Sequence, residues 1–332
     1  MKITDLIGRA SPVVLLGMCK NAGKTTALNR LIREYAAAGE HGVAMTSIGR
    51  DGESLDLVTG TEKPPIYVCE GMLCATAEEL LPLCDASREL LALTELYTPL
   101  GRIVIFRARS DGFVQLAGPS IVEQLGILRA ELEALGARRV LIDGALSRRS
   151  PAACASDGAC VLSTGASLDR DIDRVVAETA FAEHLLTLPE TASPGEALDR
   201  FTLFRGDDAV GVKEIETLCA ELKRGSGGDV LLSGALTESQ ARLLLRSGAA
   251  LHNLRLIALD GSRYLLKRET CQKLEALGLR FAVLRGTRLA AVTVNPVSAG
   301  GWRFDAAEFL EKMRAASPVP VLDVEAEDGT EF

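Results

Sequence analysis

Val13-Val14-Leu15-Leu16-Gly17-Met18-Cys19-Lys20-Asn21-Ala22-Gly23-Lys24-Thr25-Thr26-Ala27-Leu28-Asn29 is the stretch whose reading decides the fold. An apolar run of the kind that forms a strand buried on both faces meets a short polar loop. Gly-Lys-Thr-Thr then opens a helical pattern. A phosphate chain needs many donors and little steric bulk. Successive backbone N–H groups in a tight loop form a concave anion site. The helix that follows adds its unpaired N–H groups and the positive end of its dipole. In that setting Gly23 permits close backbone approach, Lys24 reaches the β- and γ-phosphates, and Thr25 offers its hydroxyl to Mg²⁺. The expected phosphate contacts are Gly17, Lys20, Asn21, Ala22, Gly23, Lys24, Thr25 and Thr26. The alternative is an ordinary strand–turn–helix in which Gly-Lys-Thr arises by chance.

The strict motif has four residues between its glycines, whereas Gly17 and Gly23 are separated by five. Lys20 lies one residue out of register with the signature lysine of partitioning ATPases, and a solvated loop lysine is the simpler reading. Cys19 inside the loop reads either as a redox-sensitive point or as a passive small side chain.

Composition bounds the function. A chain of 332 residues, 47% of them hydrophobic, suggests two domains with sizeable cores. No apolar run approaches the roughly 18 residues of a membrane span. Met1-Lys2-Ile3-Thr4-Asp5 lacks the charged-then-apolar build of a signal peptide, which predicts a cytoplasmic protein. The net charge of −8 and the absence of a Lys/Arg block argue against nucleic acid. Aromatics at 4% argue against a base-stacking platform. The eight cysteines include no C-x-x-C, so free thiols are expected; Cys154 with Cys160, or Cys69 with Cys74, are the alternatives as metal ligands. His41, His184 and His252 lie far apart in sequence.

Strand-like runs alternate with helical patterns, which predicts a doubly wound, mostly parallel α/β nucleotide-binding domain over 1–190. Strands are expected at 12–17, 43–48, 66–69, 103–106, 140–143 and 161–163. Helices are expected at 24–38, 76–93 and 119–135, with Ser167 as the N-cap of another. The Pro/Ser/Gly-containing stretch 189–196 reads as a boundary. A second, smaller α/β domain is expected over 196–332, with strands at 229–232, 255–259, 281–284 and 289–294 and helices at 236–247, 267–277 and 305–315. The only tryptophan, Trp302, sits in a loop that is either a contact surface or an anchor.

A P-loop enzyme needs carboxylates for Mg²⁺ and for positioning the attacking water, and open α/β sheets place them at the carboxyl ends of strands. Asp143 ends the run Val140-Leu141-Ile142. Asp51 lies just beyond strand 43–48, with Glu53 as its competitor. The expected catalytic set is therefore Lys24, Asp51 and Asp143, and the expected Mg²⁺ ligands are Thr25, Asp51 and Asp143. No Asn-Lys-x-Asp motif for guanine occurs, which favours ATP over GTP. Arg50, Arg148 and the 109–112 run are candidate sources of a cation for the transition state, the alternative for each being surface charge. The Gly-rich 49–53 loop and the 107–118 segment are candidate movers.

The five-residue spacing from Gly17 to Gly23, Lys63-Pro64 and Asp143-Gly144-Ala145 resemble the dethiobiotin synthetase group, although that group's substrate-binding pattern is missing and the C-terminal part has no counterpart there. Five stretches are similar to the P-loop ATPase subunit of the reactivase for cobalamin-dependent lysine 5,6-aminomutase. These are residues 20–26, Thr46-Ser47-Ile48-Gly49-Arg50-Asp51-Gly52-Glu53, Ala117-Gly118-Pro119-Ser120, Asp143-Gly144-Ala145-Leu146-Ser147-Arg148 and Val294-Asn295-Pro296. That resemblance implies an ATPase that, with Mg²⁺, helps an aminomutase exchange damaged cobalamin for intact cofactor; the sequence leaves a homo- or hetero-oligomer open. The competing expectations are an ATP-dependent small-molecule kinase or ligase, and a nucleotide-gated binding module without significant turnover.

Overall fold

A computed structural model describes residues 1–51, 65–144, 157–225 and 227–324, without the side chains of Arg50 and Asp51. The chain divides into two compact units, Met1–Ala180 with Arg288–Phe332, and Phe181–Thr287.

The first unit opens with α1 (Ile3–Ile7), β1 (Val13–Gly17), α2 (Lys24–Ala37) and β2 (Val43–Ser47). Every residue of β1 and β2 is buried, as continuous apolar runs in a sheet covered on both faces should be. In α2 the buried residues Ala27, Leu28, Leu31, Ile32 and Tyr35 recur at helical spacing and enter one core with Val13, Leu15 and Met45. Gly39, at φ 68°, follows the helix and lets the N–H of Glu40 return to the carbonyl of Tyr35 at 3.0 Å. Inside this core Glu34 accepts from the N–H and hydroxyl of Thr4 at 2.8 and 3.0 Å, tying α1 to α2.

Then come β3 (Arg50–Asp51), β4 (Ile66–Val68), β5 (Leu73–Ala77), β6 (Arg88–Thr98), β7 (Gly101–Ala108), β8 (Gly112–Val114), β9 (Leu116–Ala117), α3 (Val122–Ala134), β10 (Arg139–Asp143), β11 (Ala159–Gly165) and α4 (Ile172–Leu186). The helix expected at 76–93 does not form. A 3-10 turn occupies Glu78–Leu83 with Pro82 inside it, and β6 pairs antiparallel with the apolar strand β7. Ser167 is not an N-cap either; Asp171 accepts from the N–H groups of Asp173 and Arg174 at 2.9 and 3.3 Å at the start of α4.

The second unit has its own five-stranded sheet. It is built from β12 (Phe201–Arg205), β13 (Asp208–Val212), α5 (Ile215–Lys223), β14 (Gly228–Leu232), β15 (Leu236–Thr237), α6 (Glu238–Arg246), β16 (Leu254–Ala258), β17 (Tyr264–Leu265), α7 (Arg268–Ala276) and β18 (Arg280–Val283). The order is β13-β12-β14-β16-β18. β14, β16 and β18 run parallel, and the β12–β13 hairpin is antiparallel. A capping box between Thr237 and Gln240 starts α6. The hydroxyl of Tyr264 lies 2.8 Å from the carbonyl oxygens of both Leu256 and Ala282.

After it the chain returns to the first unit with β19 (Leu289–Asn295), α8 (Ala306–Ala316) and β20 (Val321–Asp323). The large sheet has nine strands in the order β20-β19-β11-β1-β10-β2-β5-β7-β6. From β20 to β5 every pairing is parallel; β7 and β6 are antiparallel. The expected α/β character with a large, mostly parallel sheet is present. The expected second domain over 196–332 is not what forms, because β19 pairs with β11 rather than with the second sheet. No described helix is long and apolar enough to cross a membrane.

Candidate functional site at the carboxyl ends of the large sheet

Five neighbouring parallel strands, β19, β11, β1, β10 and β2, bring their carboxyl ends to one edge of the sheet, where ligands bind in open α/β folds. β1 feeds directly into the glycine-bearing loop. Met18 donates its N–H to Ser163 at the end of β11 at 2.9 Å. Asn21 and Gly23 both take positive φ, 59° and 88°. Gly23 stands at the N-cap of α2 and supplies no capping side chain, so the first turn of that helix faces the loop without a side-chain cap from its own N-cap residue.

Lys24, the first residue of α2, and Asp143, the last residue of β10, meet at 2.7 Å between Nζ and Oδ1. Asp143 is 2% exposed and Lys24 16%, so the pair is shielded and its charges are screened far less than at a surface. The backbone of Asp143 is fixed from β2: its carbonyl accepts from the Ile48 N–H at 2.8 Å and the Ser47 hydroxyl at 3.1 Å. Gly144 N–H donates to Leu15 at 3.0 Å. Lys24 and Asp143 therefore lie side by side at the carboxyl end of β10.

Other expected residues fall out variously. Ala22 and Gly23 are buried, Asn21, Lys24, Thr25 and Thr26 are half-buried, and Lys20 is exposed. Asp51 lies in β3, whose backbone pairs antiparallel with β9, Asp51 opposite Leu116; its side chain, together with Arg50's, Glu53, Lys63-Pro64, Ala145, Arg148 and Cys154, lies outside the described residues. Of the 49–53 loop, Gly49 and the backbone of Arg50 and Asp51 meet the end of the 107–118 segment. Gly49 and Gly118 exchange backbone contacts with Pro119 and Gly49, at 3.3 and 3.0 Å. The 109–112 run does not reach Lys24. Leu73 at the start of β5 pairs with Arg107 near the end of the antiparallel β7, which puts Arg109 at the opposite edge of the sheet, where it pairs with Glu89.

Sequence reasoning gave Asn295 no role in the loop. A Cβ on Gly23 would come 2.9 Å from Asn295 Cβ, and one on Gly165 would come 2.6 Å from the Asn295 carbonyl oxygen. Asn295 Oδ1 accepts from Val297 N–H at 2.8 Å. The end of β19 thus buttresses the loop from two strands away. The signal in sequence was Asn-Pro at a strand exit, which has no contact information in it. Trp302 is a half-buried anchor: its Nε1–H donates to the Ala166 carbonyl at 3.1 Å, and Arg170 lies over its ring at 4.7 Å.

Cys19 and Cys69 are not poised for reaction. Burial pushes Cys19 and Cys69 up to about 11, which keeps them protonated at neutral pH. Cys74 and Cys160 are fully buried, and Cys19, Cys69, Cys74, Cys84, Cys219 and Cys271 are free thiols. No family model matches the chain, and no curated protein or solved structure matches it significantly.

Proposed function

We propose that the chain is a Mg²⁺-dependent P-loop nucleoside triphosphatase, with ATP favoured over GTP, whose turnover drives reactivation of a cobalamin-dependent aminomutase. The observation that carries the nucleotide reading is the shielded Lys24–Asp143 ion pair, 2.7 Å long, beside a loop whose Gly23 has no room for a side chain. A phosphate chain entering the loop would take the Lys24 ammonium for its terminal oxygens. The backbone N–H groups of the loop and of the first turn of α2 would hold the remaining phosphate oxygens. Asp143 and the Thr25 hydroxyl would hold Mg²⁺, which neutralises charge developing on the phosphates. Asp51 is assigned to the same site from its place in β3, beyond the end of β2, as a second ligand or as the group that orients water.

A phosphate chain in the loop would thus give Lys24 a partner besides Asp143, and a change of partner is what a nucleotide-driven switch requires. Ile48 donates its N–H to the Asp143 carbonyl, and the backbone ties linking Gly49 to Gly118 and Pro119 carry that contact on into the strap. The aminomutase assignment rests on the resemblance of the five stretches named above.

The test is Mg²⁺-dependent hydrolysis of ATP and GTP by the wild type and by Lys24→Ala, without and with a cobalamin-dependent aminomutase. ATP turnover that Lys24→Ala abolishes and the mutase stimulates is expected. Normal turnover in the variant would overturn the site. Turnover indifferent to the mutase would overturn the partner and favour a metabolite-dependent kinase or ligase.

A further inference from the structure

The second unit carries a cluster of metal-ligating side chains of its own. His184, in the last turn of α4, places Nε2 2.9 Å from Glu275 Oε1 on α7. Cys271 lies one helical turn before Glu275 on the same face of α7. The imidazole nitrogen, the thiol sulfur and a carboxylate oxygen all lie within 4.8 Å of one another. Cys271 is fully buried in the core of this unit, whereas the side chains of His184 and Glu275 are 45% and 37% exposed. The soft donor is therefore on the inside and the two harder donors form a rim open to solvent.

We propose that His184, Cys271 and Glu275 form a zinc-class divalent metal site with three protein ligands and a fourth position facing solvent. Nitrogen, sulfur and oxygen donors bind Zn²⁺ at roughly 2.0–2.3 Å in a tetrahedron, which sets neighbouring donors roughly 3.5 Å apart. The cluster needs only small side-chain adjustments to reach that spacing, chiefly separation of the His184–Glu275 hydrogen bond. Both rim residues sit on helices and are exposed, so rotamer changes there disturb little packing. Coordination replaces the thiol proton of Cys271, which leaves to solvent, and forms one Zn–S bond without any redox change. Without metal, burial and the neighbouring Glu275 hold that thiol up at about 12; a dipositive ion reverses both influences. The bound ion would tie the end of α4 to α7.

Co²⁺ added to the full-length protein reads this out, because a cobalt–thiolate bond gives a near-ultraviolet charge-transfer band that oxygen ligands at a Mg²⁺ site do not. The band is expected to saturate at one equivalent, to be displaced by Zn²⁺, and to vanish in Cys271→Ser. His184→Ala and Glu275→Gln change exposed side chains, keep the fold, and should weaken Co²⁺ at least tenfold. Cys19→Ala and Lys24→Ala should leave the band unchanged. No band, a band that survives Cys271→Ser, or affinities untouched by both rim variants would overturn the site and leave His184–Glu275 as a surface hydrogen bond.

Discussion

Gly23 and Asn295 are in such close register that a methyl group on the glycine would lie 2.9 Å from the Cβ of the asparagine. The same glycine holds φ at 88°, a region that costs an L-residue roughly 1–2 kcal/mol. Gly23→Ala should therefore weaken ATP at least tenfold, measured by calorimetric titration. Adding Asn295→Gly should recover the steric part and leave the backbone part. Full recovery in the double variant would mean the left-handed conformation is not needed.

Lys24 and Asp143 should be energetically coupled. Removing one member of a shielded pair leaves the other charge uncompensated, at about 3–5 kcal/mol. Lys24→Ala and Asp143→Ala should each lower stability to urea, and the double variant should lose less than their sum by about 1–3 kcal/mol. Additive losses would show that the pair is not an interacting unit. Turnover should fall at least about 100-fold in Lys24→Ala, through loss of charge stabilisation in the transition state.

The strap over β2 leaves no space at Gly118, where an added Cβ would stand 2.0 Å from the Ser47 carbonyl oxygen and 2.8 Å from Thr46 Oγ1. Gly118→Ala has to lift the strap, at about 1–3 kcal/mol. Because Ser47 also donates to Asp143, kcat for ATP should drop more than KM rises. A variant with unchanged kinetics would disconnect the strap from the site.

Burial sets the chemistry of Cys19. Its thiol is raised from the ordinary 9.0 to about 11, so the folded state holds its proton more tightly than the unfolded one. The stabilising effect is fully present below pH 9 and is lost as pH rises through about 11. Alkylation by iodoacetamide, mapped by mass spectrometry, should be slow at neutral pH and climb without a plateau until that range. Labelling at the rate of a free thiol at pH 7.5 would refute it.

The strand β1, its loop, helix α2 and the carboxylate of Asp143 were legible because each carries a local signature: an apolar run, a glycine-lysine pair, a helical repeat. β6 was not. Glu78-Glu79-Leu80-Leu81 and Ser87-Arg88-Glu89-Leu90-Leu91-Ala92-Leu93 are rich in good helix formers, yet pairing with the buried Ile103, Val104, Ile105 and Phe106 of β7 overrides that preference. β6 is an edge strand with Leu90, Leu93 and Tyr97 exposed, and buried–exposed alternation is confined to Thr94-Glu95-Leu96-Tyr97, too short a run to read. The domain division failed for a different reason. Leu289–Asn295 looks like any apolar strand, and nothing local states which sheet it will join. The His184–Cys271–Glu275 cluster was hidden in the same way, since its members are 87 and 4 residues apart and meet only through the packing of the second unit. Arg109 was misplaced because an antiparallel strand reverses which edge of the sheet its end reaches.

The pairing of β19 with β11 makes the second unit an insertion within the first. A growing chain that has already produced the phosphate loop and Asp143 still lacks the neighbour of β11, which emerges more than a hundred residues later. Until Asn295 arrives, nothing closes against Gly23, and β11 presents an open edge. The inserted unit has all its strands by then and can fold first. Competence at the ribosome would thus be acquired out of order, with the earliest-made motif among the last to be finished.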